Sequence, residues 1–109
     1  VTVIDGTSNT PTTVEAGTAP SAVVVNPVTN KIYVANLNSN NVTVIDGASN
    51  TTTTVEVGSY PLAIAVNPVT NKIYVANNGS KNVSVIDGAG RTAPPGGLAI
   101  GGAVRPAPS

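Results

Sequence analysis

A repeat of 41 residues is the feature that most constrains the fold of this chain. The segment Asn-Pro-Val-Thr-Asn-Lys-Ile-Tyr-Val-Ala-Asn occupies residues 26–36 and recurs without substitution at 67–77. Residues 1–41 and 42–82 are identical at 30 of 41 positions. A second marker, Val-Thr/Ser-Val-Ile-Asp-Gly, keeps the same step and begins at Val1, Val42 and Val83. Self-similarity at a fixed period predicts an array of equal units that pack on their neighbours.

Each unit contains four short β-branched segments bounded by Gly, Pro, Asn and Asp, a pattern typical of antiparallel strands and turns. We name the strands A to D. Pro20 cannot donate to a ladder, so the first A strand is predicted to begin after it. The predicted strands, in chain order, are C Val1–Asp5, D Thr12–Ala16, A Ala22–Val25, B Lys31–Ala35, C Val42–Asp46, D Thr53–Val57, A Leu62–Val66, B Lys72–Ala76 and C Val83–Asp87.

Four short strands per unit predict an all-β fold of β-propeller blades, each a four-stranded antiparallel meander. Helical repeats of similar period are excluded because no window shows helical periodicity. A parallel β-helix is the remaining alternative. In the A segments both the odd and the even positions are apolar, so apolar side chains point to both faces of the sheet. This pattern indicates sheets that are covered on both faces by neighbouring blades.

Composition excludes several classes of function. Five acidic residues balance five basic ones, so no net charge attracts the chain to nucleic acid or to an anionic membrane. The chain has no Cys and no His, which removes disulfides, nucleophilic triads and the commonest metal ligands. No apolar run approaches the roughly 18 residues of a membrane span.

The acidic residues all fall at positions that the repeat shares, namely Asp5, Asp46, Asp87, Glu15 and Glu56. A catalytic carboxylate pair would need one member in a distinct environment. An Asp-Gly pair at a strand end is better explained as a turn between strands C and D. We therefore expect no catalytic residue, no metal site and no cofactor, and we expect that the chain is not an enzyme.

The repeated segments resemble the YVTN β-propeller repeat family, with Tyr33-Val34-Ala35-Asn36 and its copy at 74–77 in place of Tyr-Val-Thr-Asn. The resemblance covers residues 1–88, as repeats 1–41, 42–82 and a partial 83–88. Residues 89–109 form a Gly/Pro/Ala-rich tail. Leu98-Ala99-Ile100 is a candidate weak D strand there, and a flexible linker or a non-native terminus is the preferred interpretation. The resemblance implies a non-catalytic scaffold or interaction module of a secreted or surface-layer protein, and hence an extracellular or cell-surface location.

About two and a half blades are predicted, fewer than a closed ring needs. The expected partners are therefore other propeller blades, from the rest of a longer chain or from further copies, and a protein or cell-surface polymer is a possible ligand. A trimer with two blades from each copy is one ring hypothesis. The missing initiator Met favours a fragment.

Differences between the two repeats concentrate in the D–A and B–C connections, which share one face of an antiparallel meander. Loops that vary on a constant scaffold are typical of binding sites, although unconstrained loops would also vary. The candidate binding residues are Leu37, Asn38, Asn40, Tyr60, Asn78 and Lys81. The competing hypotheses are a fragment of a propeller lyase or cofactor-dependent oxidoreductase with its catalytic residues elsewhere, and a lectin-like ring, which the shortage of aromatic residues disfavours.

Overall fold

The computed structural model of the protein describes residues 1–89 and the backbone of 103–104. Within these residues the chain forms only β-strands and turns, and it contains no helix long and apolar enough to cross a membrane. The strands are β1 (Thr2–Asp5), β2 (Thr10–Thr13), β3 (Pro20–Asn26), β4 (Lys31–Asn36), β5 (Asn41–Asp46), β6 (Thr52–Glu56), β7 (Pro61–Asn67), β8 (Lys72–Asn77), β9 (Asn82–Asp87) and β10 (Ala103–Val104).

The strands form three antiparallel sheets. The middle sheet has the order β3-β4-β5-β6, which is an A-B-C-D meander within one repeat. The last sheet has the order β7-β8-β9-β10, and β1 pairs with β2 as an isolated C-D hairpin. Every strand pair is antiparallel, which excludes the parallel β-helix. The predicted blades are confirmed, as an open array that does not close into a ring.

Several strand boundaries differ from the prediction. Strands β3 and β7 begin at Pro20 and Pro61, which pair with the last residues of β4 and β8 just before a register shift. A proline is tolerated at the first residue of a strand and beside a bulge, where no donor is required. The D strands β2 and β6 begin earlier than predicted because the C–D turns are short. In the last blade β10 takes the D position, whereas Leu98-Ala99-Ile100 lies outside the described residues.

The three sheets stack face to face. Tyr33 of the middle sheet lies in a core cluster with residues of the last sheet. The opposite side of the middle sheet carries Val34 and Ile45, which pack with Val14 of the β1–β2 hairpin. The larger cluster consists of Tyr33, Val42, Val44, Val55, Ile73, Val75 and Ile86. Both faces of the B and C strands of the middle blade are thus used for packing. Val23 and Val25 on one face of its A strand are 58% and 51% exposed, so the predicted cover on both faces of the A segments is seen on one face only within the described residues.

The turns between strands lie in two groups, one on each face of the array. In the A–B turn, the Asn26 side chain accepts the Val28 N–H at 3.0 Å, and the C–D turn contributes the Gly47 N–H to the Asn30 carbonyl at 2.8 Å. The A–B and C–D turns therefore lie together. On the other side, the B–C turn donates the Leu37 N–H to the Ala19 carbonyl of the D–A connection at 2.9 Å. The predicted division of the loops between two faces is confirmed.

Candidate functional site

The D–A and B–C connections form one continuous surface, which we call the variable face. It is built around the predicted residues Leu37, Asn38, Asn40, Tyr60, Asn78 and Lys81. Leu37 is half-buried, and the other five are exposed. These side chains therefore meet the accessibility requirement of a binding surface.

Asn40 and Tyr60 connect the two blades across this face. The Tyr60 backbone N–H donates to Asn40 Oδ1 at 2.9 Å, and the Tyr60 carbonyl accepts the Asn78 N–H at 2.9 Å. Asn40 belongs to the B–C turn of the middle blade, whereas Asn78 belongs to that of the last blade. Asn40 of one blade and Asn78 of the next are thus brought together, with Tyr60 between them.

Lys81 is the repeat equivalent of Asn40, but its side chain cannot accept the hydrogen bond that Asn40 accepts from Tyr60. Its backbone N–H donates to the Asn77 carbonyl at 2.8 Å, so the turn itself is kept. An ammonium group has no acceptor atom, so it could not receive an N–H from a following D–A connection as Asn40 does. The side chain is exposed and places a positive charge at the edge of the face.

The backbone of the variable face is strained at particular residues. Eight non-glycine residues have positive φ, and they form four repeat pairs: Asn9 and Asn50, Ala19 and Tyr60, Asn30 and Asn71, and Asn40 and Lys81. The A–B and C–D turns use only Asn, which tolerates this region through local hydrogen bonds. The variable face instead holds Tyr60 and Lys81 at φ 59° each. Residues of these types pay roughly 1–2 kcal/mol for such a conformation.

A cavity of about 340 Å³ lies beside Lys81 at the end of the last blade. Its lining includes Asn77, whose Nδ2 donates to Asn82 Oδ1 at 3.0 Å and to Ser84 Oγ at 2.9 Å. The cavity is lined by Leu62, Ala63, Ala76, Asn77, Asn78, Lys81, Asn82 and Val83. The lining thus combines apolar side chains with amide groups and one cation.

Several of these lining residues were not predicted from the sequence. Ala63, Ala76 and Asn77 match the first repeat in sequence, and so no difference between repeats marks them. Their exposure depends on whether another blade covers them, which is a property of the array. Leu62 could have been identified from the sequence, because it differs from its repeat equivalent Ser21.

The aspartates act as turn acceptors. Asp46 Oδ1 accepts the Ala48 N–H at 2.9 Å, and Asp5 and Asp87 make the equivalent bonds at the same distance. The Ala48 bond, reinforced by Lys31 at 3.5 Å, holds the pKa of Asp46 below its usual value. Hydrogen bonds from Thr7 likewise lower the pKa of Asp5. Across residues 1–89 no three acidic side chains gather in a way that could hold a metal ion.

Comparisons with known proteins support the fold. No family model and no curated protein matches the chain. Among solved structures, the chain is similar to hydrazine synthase from Kuenenia stuttgartiensis, a propeller-containing protein, with 30% identity over 79% of this chain and a TM-score of 0.70. The match covers 26% of that chain, so the similarity concerns about a quarter of its length. The described residues of this protein are stacked β-propeller blades in an incomplete ring.

Proposed function

We propose that the chain is a non-catalytic β-propeller scaffold of the YVTN type, and that its variable face binds a partner at the cell exterior. The partner is a protein or a cell-surface polymer, and the neighbours of the scaffold are other blades. The extracellular or cell-surface location follows from the resemblance of the 26–36 and 67–77 segments to that family.

The observation that carries this proposal is the conformation of Tyr60 and Lys81. Both side chains are exposed, and both residues have φ of 59°, where Asn or Gly would be less strained. Strain of this kind tends to persist where a side chain is needed for a task other than stability. A tyrosine with an apolar ring and a polar tip, next to exposed amides and one cation, suits recognition of a polar surface.

The opposite face, formed by the A–B and C–D turns, differs from the variable face. Its A–B turns are identical in the two repeats, and the exposed apolar residues Val28 and Val69 occupy equivalent positions there. Its positive-φ positions hold Asn throughout. This face has the features of a repeated structural turn, and the variable face has those of a surface adapted blade by blade.

Site-specific photocrosslinking tests the proposal. The chain is prepared with benzoylphenylalanine in place of Tyr60 or, as the matched control, in place of Val69, which is 92% exposed on the opposite face. Each protein is irradiated with a cell-envelope preparation from the producing organism. The proposal predicts discrete adducts from position 60 and none from position 69. Equal adducts from both positions, or none from either, would contradict it.

A second candidate function is the propeller portion of an enzyme. The similarity to hydrazine synthase is the observation that favours it. This chain contains no His and no Cys, so metal or cofactor ligands of those types would lie outside it. The parent reading frame distinguishes the two candidates. Flanking regions made only of further YVTN-like repeats favour the scaffold, whereas His- or Cys-bearing segments next to residue 1 or 109 favour the enzyme.

A further inference from the structure

Asn78 is the one asparagine of the chain that precedes a glycine. Glycine has no Cβ, so its backbone nitrogen can approach the amide carbon of the preceding side chain with less hindrance than the nitrogen of any other residue. Asparagine is one of the thermally labile residues of proteins. The Asn78-Gly79 pair is therefore the place in this chain where loss of a side-chain amide meets the least steric resistance.

The Asn78 side chain is exposed and makes no hydrogen bond to a described residue. Only its backbone is engaged, since the Asn78 N–H donates to the Tyr60 carbonyl at 2.9 Å. The turn residue Asn40 differs, because its Oδ1 accepts the Tyr60 N–H. Leu37, the repeat equivalent of Asn78, is only half-buried although the last blade lies on that side of it. A further blade beside Asn78 would therefore also leave it within reach of water.

Gly79 allows a close contact between the B–C turn and the D–A connection. A Cβ at Gly79 would lie 3.0 Å from Ser59 Cβ and 3.2 Å from Tyr60 Cβ, which is closer than carbon atoms normally approach. The Gly79 N–H donates to the Ser59 carbonyl at 3.0 Å. In the first repeat Asn38 takes this position, and its N–H reaches the Thr18 carbonyl at 3.2 Å. The glycine thus has a packing role, and the labile dipeptide accompanies it.

The same contact protects the reacting nitrogen. While the Gly79 N–H donates to the Ser59 carbonyl, this nitrogen keeps its proton and is not available to attack the Asn78 side chain. Ser80 Oγ reinforces the contact by accepting the Ser59 N–H at 2.7 Å. Ser59, Gly79 and Ser80 are all exposed, and segments held by exposed backbone hydrogen bonds open at a low free energy. Opening of this contact therefore sets the rate of reaction.

We propose that Asn78 is a site of spontaneous deamidation, gated by opening of the Gly79–Ser59 hydrogen bond. The Gly79 nitrogen forms a bond to Asn78 Cγ, the Cγ–Nδ2 bond breaks, and the side-chain nitrogen leaves as ammonia with the proton of the Gly79 N–H. Water then opens the five-membered imide, either at Cγ to give aspartate or at the main-chain carbonyl carbon to give isoaspartate. One water is consumed and one ammonia is released, and no oxidant or cofactor takes part.

Both products change the variable face. Each adds a carboxylate beside Tyr60 and gives the formally neutral chain one negative charge. Isoaspartate also adds one carbon to the main chain between the Asn78 and Gly79 N–H groups, which donate to the adjacent carbonyls of Tyr60 and Ser59. The two hydrogen bonds then no longer match in spacing, so the B–C turn separates from the D–A connection. This chemistry needs no partner, so it stands or fails independently of the proposed function.

Peptide mapping by mass spectrometry tests the proposal on the intact folded chain at mildly alkaline pH, with the same chain in concentrated urea as the reference. The time course extends well beyond complete reaction in urea. Trypsin cleaves after Lys72 and Lys81, so Asn78 is recovered in the peptide 73–81. Deamidation raises the peptide mass by about 1 Da, and fragmentation locates the modified residue.

The proposal predicts product at Asn78 in the folded chain, formed about tenfold more slowly than in urea. Asn38 is the internal control, because it is exposed in the equivalent turn but precedes Ser39. It should yield less than about a tenth of the product. An unmodified Asn78 in the folded chain, or equal modification of Asn38 and Asn78, would overturn the proposal.

Ser80→Ala tests the gate, because it removes the acceptor of the Ser59 N–H. The folded variant should react about fivefold faster than the unsubstituted chain, as expected for the loss of one hydrogen bond. In urea the two rates should agree, since no turn is present there. Equal rates in the folded state would contradict the gate. Asn40→Gly, which removes the acceptor of the Tyr60 N–H, provides a second variant that should react faster.

Asn78→Leu is the matched control for the assignment. It introduces the residue of the first repeat, Leu37, so the turn should still form. The peptide 73–81 also contains Asn77, and the variant should abolish its gain of mass. A gain of mass that persists in Asn78→Leu would place the reaction at Asn77 and overturn the proposal.

Discussion

Tyr33 and Tyr74 occupy the same position of the repeat, yet Tyr33 is fully buried and Tyr74 is 40% exposed. The two side chains have identical sequence neighbours from Asn-Pro to Ala-Asn. Only the array distinguishes them, because the last blade lies on Tyr33 and no described residue covers Tyr74. A pair of identical sites in two environments gives each prediction about burial its own internal control.

Alkaline pH should destabilise the fold through Tyr33. Burial, with a smaller contribution from the Asp87 charge, raises the pKa of the Tyr33 hydroxyl, which has no hydrogen-bond partner in the described part of the chain. Above roughly pH 10 the unfolded chain loses this proton before the folded chain does, so stability falls as pH rises. Tyr33→Phe should remove that loss and raise the free energy of unfolding at neutral pH by about 1 kcal/mol. Urea titrations between pH 7 and 11 measure both effects.

Tyr74→Phe is the matched control for that experiment, because its ring is partly in solvent. It should leave the free energy of unfolding at neutral pH nearly unchanged, whereas Tyr33→Phe should raise it. If the two variants raised the free energy of unfolding equally, the burial of Tyr33 between the blades would be wrong.

Gly47 and Gly6 should respond differently to the same change. A Cβ at Gly47 would come within 2.8 Å of the Asn30 carbonyl oxygen, which accepts the Gly47 N–H, whereas a Cβ at Gly6 meets no atom within 4 Å. Gly47→Ala should cost about 1–3 kcal/mol through this overlap. Gly6→Ala should be neutral or slightly stabilising. Thermal unfolding of both variants checks the prediction, and equal shifts would show that the A–B and C–D turns are not in contact.

Lys81 and Asn40 should give opposite results when each is replaced by glycine. Lys81→Gly relieves a left-handed conformation and should stabilise the fold by about 1 kcal/mol. Asn40→Gly removes the acceptor of the Tyr60 N–H and should destabilise it by about 1 kcal/mol. If the variable face binds a partner, Lys81→Gly should also weaken that binding, as a stability–function trade-off. Equilibrium unfolding checks the first two changes, and changes of the same sign would contradict them.

The contribution of the Asn26–Asn71 hydrogen bond to stability should be measurable by comparing Asn26→Ala with Asn67→Ala. Asn26 and Asn67 both accept the N–H of the valine two residues later, at 3.0 Å, but only Asn26 also donates to Asn71. Asn26→Ala should therefore cost about 1 kcal/mol more than Asn67→Ala. Chemical denaturation of the two variants measures the difference. An equal cost would mean that the bond to Asn71 contributes nothing to stability.

The repeat predicts much of this architecture. The period, the four-strand meander and the division of loops between two faces follow from segments that alternate with Asn, Gly and Pro at fixed spacing. The start of β3 was missed because Pro20 was excluded from the strand, although a first residue beside a bulge needs no donor. The six candidate residues could be placed on one face from their pattern of variation alone.

What the sequence could not predict depends on other parts of the array or on backbone dihedral angles. Nothing in the residue types of Ala19, Tyr60 or Lys81 indicates a left-handed conformation, since each is held there by the turn around it. The interblade bonds of Asn26 and Asn40 join residues 45 and 20 positions apart, beyond the reach of local patterns. The burial of Tyr33 and the exposure of Tyr74 are likewise set by packing.

Crosslinking of paired cysteines within one chain tests the stacking of successive blades most directly. The chain has no native cysteine, so Asn26→Cys/Asn71→Cys and the control Asn67→Cys/Asn30→Cys each place two thiols in a clean background. The two pairs are matched, since Asn71 and Asn30 both have φ of 58°. At high dilution with a short crosslinker that carries two thiol-reactive maleimide groups, the stacked blades predict an internal link in the first protein and none in the second. Internal links in both, or in neither, would contradict the stacking of the middle blade on the last.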